Sequence, residues 1–479
     1  MKKTLLFILA PLLGFCQTQI GNDIDGKTPK SSNVAQFYGT SISLSSDGNI
    51  IAIGDKNYFT WSGTLWMYKN IAGTWTPLGN SFGSGGIGDS KGESVSLSSD
   101  GTIVAVGSSA GWGNGRESGF VQVYKNISGK WTQIGANING EFSGDSSGTS
   151  VSLSSDGNVV AIGSPYNRQK VFQAGSVRVF QNIAGVWTKV GADLDGVESA
   201  DQLGSVVSLS NDGSIVAICT NRKYVRVYKN IAGTWTLLGN EIPGENFNIS
   251  LSGDGSTITA ACSITEYVNN ERLKVSYVKV FRLVNDVWTQ LGTAVRQKSG
   301  GDDLGKGLSI SENGSILAIG SPGAEMRNEE YGIVRLYQYL AGNWTQIGVD
   351  IKGEANYDKN GICVTLTPDG TKLAIGASYN DGGGEDRGSV RVYNLSPILN
   401  TNSFVMSHSM VYPNPASEIV NINLEENLIL EKVNIYNIMG QLIKTEKANN
   451  ISINSFSKGT YYFEIITDQG KATKAIIVN

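Results

Sequence analysis

Few side chains in this sequence can do chemistry, and they are unevenly placed. Its single histidine, His408, lies near the C-terminal end. A Ser-His-Asp or Cys-His relay, a His-rich zinc site and a histidine base are thereby excluded from everything before it. Carboxylates could still hydrolyse a glycoside, which takes only two acids at a suitable separation. The acids in segments of irregular length are Glu117, Glu325, Glu329, Glu330, Asp381, Glu385 and Asp386. None sits in unusually apolar company, and the order Ser-x-Asp-x-Gly-x-x-Trp is absent. They read as solvated loop charges, so no enzyme activity, cofactor or metal is expected.

A second set of acids recurs. Asp-x-x-Gly appears at Asp89, Asp145, Asp201, Asp302 and Asp358. A ring of such carboxylates could hold a cation. The plainer reading is that each accepts backbone N–H groups in its own turn, and repetition favours that structural duty. Tryptophan recurs too, as Trp-Thr at Trp75, Trp131, Trp187, Trp235, Trp288 and Trp344, which points to packing between repeats over a sugar platform. The residues that do not recur are Trp112, Arg116, Tyr166, Arg168, Tyr331 and Tyr379. Aromatic and arginine side chains anchor interfaces and stack on sugars, so these six are the candidate ligand-binding residues.

What must position them is an array. A block close to Ser-Leu-Ser-Ser-Asp-Gly-x-x-Val-Ala-Ile-Gly occurs seven times, centred on Asp47, Asp100, Asp156, Asp212, Asp254, Asn313 and Asp369. Intervals of 42 to 59 residues are the size of a supersecondary unit. Each copy continues with Gly-x-Val-x-Val-Tyr and then Trp-Thr, giving four period-2 runs and no helical pattern. Four antiparallel strands repeated seven times predict an all-β fold, a seven-bladed β-propeller with four-stranded blades. In the third copy the strands are expected at Ser150–Leu153, Val159–Gly163, Ser176–Phe180 and Trp187–Val190. The Ser-Asp-Gly and Asn-Ile-Ala-Gly turns fall on one face and are nearly invariant. The opposite face takes the loops that vary, from the short Thr220–Lys223 connection to a long Ser263–Ser276 loop, and it gathers the six candidate residues.

The seventh copy runs from Tyr393 into Leu395-Ser396-Pro397 with no Trp-Thr strand. Thr18-Gln19-Ile20-Gly21-Asn22-Asp23-Ile24-Asp25-Gly26 repeats the form of Thr345–Gly353, so the N-terminal strand is expected to close the ring.

Lys2 and Lys3 followed by the apolar run Leu5–Phe15 read as a signal peptide over residues 1–16, cleaved after Cys16. A lipid-modified Cys16 is the alternative, to which Phe15 is a poor fit. No other apolar run reaches the length of a transmembrane segment. The net charge of −4, with signs interspersed, gives no argument for nucleic acid. Cys219, Cys262 and Cys363 lie in strand runs and read as buried thiols.

Two resemblances complete the reading. Gly148-Thr149-Ser150-Val151, Ala161-Ile162-Gly163-Ser164-Pro165 and Gly175-Ser176-Val177-Arg178-Val179, repeated over about residues 18–394, resemble the FG-GAP repeats of integrin α-chain heads and of surface proteins of Bacteroidetes type. The family often carries an Asp-x-Asp-x-Asp-Gly calcium loop between its first two strands; here Ser-Ser-Asp-Gly offers too few oxygens, and calcium is not carried over. From Met410 the repeat stops. Tyr412-Pro413-Asn414-Pro415, Val433–Gln441 and Lys458–Ile465 resemble the C-terminal sorting domain of the type IX secretion pathway, a small β-sandwich. The resemblance implies export to the cell surface, with that machinery as partner of residues 410–479. The expected organisation is a propeller over 17–395, a linker over 396–409 and the sorting domain over 410–479. The expected function is a secreted or surface-displayed binding or adhesion module, monomeric, taking a protein or glycan. A carbohydrate-active enzyme and a purely structural surface component are the alternatives.

Overall fold

The computed structural model describes residues 17–26, 37–56, 63–79, 82–83, 89–221, 223–244, 246–268, 271–298, 302–324, 330–340, 342–384, 386–399, 405, 409–425, 428–437, 441–467 and 470–479. The expected signal peptide, Glu325, Glu329, Glu385 and His408 lie outside them. The chain divides into two compact units, Gln19–Asn394 and one built on Leu395–Asn479. The described residues are nearly all β, with almost no helix beyond the four residues Ser396–Leu399.

Gln19–Asn394 holds seven antiparallel sheets whose main strands follow chain order. The third is representative, with strands Ser150–Leu153, Val159–Ser164, Ser176–Ile183 and Val186–Lys189. Its second strand is central and covered on both sides, which is why its sequence is a continuous run of small and apolar residues rather than an alternation. A fifth piece that the pattern did not reveal, Leu194–Asp195, pairs with the far end of the third strand. Two residues are too short to carry a period.

The turn chemistry is local and repeated. Ser154 Oγ donates to Asp156 Oδ1 at 2.6 Å and accepts the Val159 N–H at 2.9 Å, while Asp156 Oδ1 also takes the Asn158 N–H. Gly157 supplies the φ of +71° that closes the turn. The same three bonds occur at Ser45/Asp47, Ser98/Asp100, Ser210/Asp212, Ser252/Asp254, Ser311/Asn313 and Thr367/Asp369. The Ser-x-Asp-Gly repeat is thus a self-contained turn, as its residue types require.

Two kinds of bond cross between sheets. In six places the serine of the first strand accepts a main-chain N–H from the next sheet: Ser43 from Leu97, Ser96 from Leu153, Ser152 from Leu209, Ser208 from Leu251, Ser250 from Ile310 and Ser309 from Leu366. Nearer the fourth strand, each Trp-Thr indole N–H donates to a carbonyl of the preceding sheet, as Trp131 does to Leu78 O at 2.8 Å and Trp187 to Ile134 O at 2.9 Å. The first strands pack in succession from Tyr38–Leu44 to Asn360–Leu366, and the last packs back on the first.

Close approach explains the glycine that ends most second strands. A Cβ on Gly163 would stand 2.0 Å from Gly204 O of the next sheet. In the fourth sheet that position is Cys219, because the crossover into the fifth sheet is short and enters through Asn246–Leu251 without the glycine. The buried Cys219 thiol, pushed by burial up to about 12, takes the space. Cys262 and Cys363 are likewise unbridged thiols, Cys262 buried and Cys363 half-buried.

The N-terminal segment completes the seventh sheet. Thr18–Gln19 and Ile24–Asp25 lie beside Ser389–Asn394, with Ile24 opposite Val390 and Ile20 N–H on Val392 O at 2.7 Å. Trp75 donates to Ile20 O at 2.9 Å, the bond the other five tryptophans make to their preceding sheets. One expectation is corrected. Ser263–Ser276 is not an irregular loop: the ladder of the fifth sheet runs on without a break to Val268 opposite Glu271.

In the C-terminal unit, Ser409–Tyr412, Ile419–Leu424 and Asn450–Ser452 form one sheet, and Leu442–Glu446, Leu430–Tyr436, Gly459–Thr467 and Gly470–Val478 another. They share a core of Val420, Ile422, Val433, Ile435, Phe463 and Ile476. Part of the expected linker belongs to this unit, since Val405 is fully buried against Leu428 and Ala472.

Trp75→Phe tests the closure, because it deletes one indole donor and little volume. It should cost about 1 kcal/mol in the chain starting at Gln17. In a chain lacking residues 17–26 it should cost nothing, since the acceptor is gone, and that truncated chain should already melt lower and associate through its open strand edge. Equal costs in both backgrounds, measured by denaturant unfolding, would contradict the pairing.

Candidate functional site

Three of the candidate residues, Tyr166, Arg168 and Tyr379, sit on loops tied to a recurring aspartate. Asp145 is fully buried; its Oδ2 accepts the Phe142 N–H at 2.9 Å and the Asn167 amide at 3.1 Å. Asp358 accepts from Glu354 N, Ala355 N and the Asn380 amide. Asp201 accepts from Val197 N, Glu198 N and Tyr224 OH, and its other oxygen takes Lys223 Nζ at 2.7 Å. Asp302 accepts from Lys298 N. Each carboxylate therefore closes its own crossover, and in three sheets it also ties that crossover to the loop between the second and third strands. The structural reading of these acids holds at these four; the surroundings of Asp89 are only partly described.

The six candidates fall into two groups on different crossovers. Arg116, Tyr166 and Arg168 border the crossover into the third sheet: Arg116 O accepts Gly144 N–H at 2.9 Å, Tyr166 N–H reaches Asp145 O, and the Arg168 guanidinium lies 2.9 Å from where a Cβ on Gly144 would stand. Trp112 is on the same second-sheet loop as Arg116 and is 69% exposed. Arg116 pairs with Glu117 at 3.1 Å in solvent. Tyr331 and Tyr379 border the crossover into the seventh sheet. Tyr331 O accepts Asn360 N–H, and Tyr379 stacks edge-on against Phe37 with centroids 4.8 Å apart.

Three exposed aromatics on these crossovers and loops were missed: Phe142, Phe172 and Tyr357, the last 60% exposed. A signal for them existed, because the repeat leaves these positions without a fixed residue type. Of the loop acids, Glu117 is paired with Arg116, Glu330 with Lys359 at 2.5 Å, and Asp381 Oδ1 accepts the Asp386 N–H of its own loop. Among the described residues no three metal-ligating side chains cluster.

A buried polar group that sequence reasoning also missed lies at the seam between the seventh and first sheets. Asp55 stands where the second, third and sixth sheets carry Ser108, Ser164 and Ser321, and it is 3% exposed beside the Trp66 indole. Tyr38 adjoins it, and Tyr68 and Asp25 of the closing strand adjoin Tyr38. Burial drives the Asp55 carboxyl up to about 7 against the opposing Trp66 N–H. Burial also raises Asp25, opposed by a bond from Ser389.

With the geometry of both units in hand, the comparisons concern the second. Residues 410–479 match the secretion system C-terminal sorting domain. The chain is accordingly a bacterial protein exported by the type IX pathway, secreted or displayed at the cell surface. The sorting domain covers only the tail, and no curated protein matches the chain. Among the described residues no helix is long and apolar enough to cross a membrane.

Two sets of carboxylates give stability opposite pH slopes. For the turn aspartates, burial would raise the pKa, but bonds from the neighbouring hydroxyl and main-chain N–H outweigh it and the net shift is downward. Their contribution is present above the ordinary carboxylate range and is lost as pH falls below it. Asp55 runs the other way: its raised value makes its contribution complete in acid and lost as pH rises through about 7. The melting temperature should thus decline between about pH 5 and about pH 7, above the range in which the turn aspartates titrate, and level off beyond it, and Asp55→Asn should remove most of that decline. A wild-type curve flat across that range would refute the assignment.

Proposed function

We propose that the seven sheets of Gln19–Asn394 are the blades of a seven-bladed β-propeller of FG-GAP type, closed by the N-terminal strand, and that it acts outside the cell as a non-enzymatic binding module for a protein or glycan. The first strands packing in a closed succession support the propeller. The observation that carries the binding role is the contrast on the loop side: in the third and seventh sheets crossovers locked by buried aspartates adjoin exposed aromatic and arginine side chains, of which Tyr166 and Tyr379 share one repeat position while Trp112, Arg116 and Arg168 recur in no other sheet. Recognition sits typically on loops fixed to a rigid scaffold. Engagement of the described loop acids in local bonds favours binding over hydrolysis.

The opposite side has a different character. Its Asn-Ile-Ala-Gly turns, and the Asn126-Ile127-Ser128-Gly129 turn that matches them, present the same isoleucine at Ile71, Ile127, Ile183 and Ile231, each 56–58% exposed. A residue repeated at identical height cannot discriminate one ligand from another, though it could meet a repetitive surface.

A glycan array and surface-protein panel probed with residues 17–395 should yield a ligand. Trp112→Ala with Arg168→Ala should then weaken binding by about 1 to 3 kcal/mol, roughly 5- to 150-fold, with melting nearly unchanged because Trp112 is exposed. Binding that survives this pair but is lost when the four turn isoleucines become threonine would transfer the site to the other face.

A further inference from the structure

The sorting domain carries a groove of about 780 Å³ where two strand edges face the same space. One edge is Ser409–Tyr412, the end strand of the three-stranded sheet; the other is Gly470–Val478, the end strand of the four-stranded sheet. The C-terminal half of the second edge is already satisfied within the domain. Asn414 accepts Ile477 N–H and donates to Ala475 O, and Ala416 N–H bonds Ile477 O. Outward-facing main-chain groups alternate every two residues, so Thr473 presents the next outward N–H and C=O toward the groove, beyond the reach of that internal cap.

The groove's lining is unusual for solvent. Met410 is 48%, Tyr412 51% and Tyr462 40% exposed, an apolar concentration on a domain of only about seventy residues. Ser409, also lining it, is 1% exposed and its Oγ has no partner. A buried hydroxyl left without a bond is costly, and here it adjoins the space an added chain would occupy.

We propose that this groove receives an extended segment of a secretion-machinery component by strand addition. The proposal rests on residues 410–479 being a sorting domain, since such a domain must offer its carrier a recognisable surface. Main-chain pairing at Thr473 supplies the affinity, alternate apolar side chains of the segment meet Met410, Tyr412 and Tyr462, and a polar group of the segment bonds Ser409.

The experiment compares full-length variants in a host with a working type IX pathway, by fractionation into periplasm and surface plus medium. Thr473→Pro removes the outward N–H at an edge that tolerates proline, and Met410→Glu places a charge in the groove without touching the core. Both should lose surface delivery and accumulate folded in the periplasm, with the purified proteins melting as wild type. Leu442→Glu, 57% exposed on the far edge strand of the same sheet, should leave export intact. Normal export of the two groove variants, or equal loss from Leu442→Glu, overturns the groove. So does a change of oligomeric state with export kept, which would assign it to a second copy of the chain. Export that persists when residues 410–479 are deleted would instead remove the sorting reading itself.

Discussion

The larger unit depends on one constraint: no sheet in it can bury both of its faces alone, so every sheet must be fixed against its neighbours. Apolar contact supplies the attraction but carries no direction. Direction comes from a small set of polar groups embedded in the apolar contact. In six of the seven sheets the serine of the first strand takes a leucine or isoleucine N–H of the next sheet, and in six the indole of the fourth strand gives its N–H to a carbonyl of the sheet before. These bonds lie near opposite edges of the sheet, so together they fix rotation as well as distance. A neutral hydrogen bond contributes only about 1 kcal/mol net, yet a slipped sheet would leave the donor and acceptor buried and unmet, at a cost of about 1 to 3 kcal/mol per group. The asymmetry makes the polar minority decisive for register while the apolar majority supplies cohesion.

Much of this was legible because repetition multiplies a weak signal. A single Ser-x-Asp-Gly is an ordinary turn; five of them with one Ser-Glu-Asn-Gly and one Thr-Pro-Asp-Gly at similar spacing locate every first hairpin, and the hydroxyl and carboxylate bonds at Ser154 and Asp156 are what the residue types call for. The matching of Thr18–Gly26 to Thr345–Gly353 located the closing segment, which pairs with Ser389–Asn394 and offers Ile20 to Trp75. The Trp-Thr positions were legible as packing residues, but the acceptor of each indole lies some fifty residues away, and no local pattern announces it.

Where the repeat is broken, legibility fails, for a physical reason. The Ser263–Ser276 stretch lacks turn residues until its tip, yet its irregular composition hid a continuous ladder, since a two-stranded arm needs no buried face to impose period-2 alternation. Asp55 is the sharper case. In the sequence it is one acid among 42 Asp and Glu, and only the fold reveals that the position is closed to solvent and shared with Trp66 and Tyr38. The loop residues show the same limit: their types were readable, whereas their division between the crossovers into the third and seventh sheets is set by hydrogen bonds to Gly144, Asp145 and Asn360.

The two units divide the protein's work according to how each treats its strand edges. In Gln19–Asn394 the last sheet borrows its outer strands from the N-terminus, so the edge that would invite foreign strands is consumed within the chain. That protection leaves loops and turn tips as the surface on which recognition can be built, and the loops of unequal length are the ones carrying exposed arginine and aromatic side chains. In the tail the opposite holds. Asn414 and Ala416 cap part of one edge and leave the rest beside an apolar groove, an arrangement hazardous in a protein that must stay soluble alone. Such an edge is tolerable only if it is met, and a domain whose role is to be handed across a membrane has a reason to keep it open. Closing the edge of the larger unit while leaving the tail's available keeps Gln19–Asn394 from being captured by the strand contacts proposed for export.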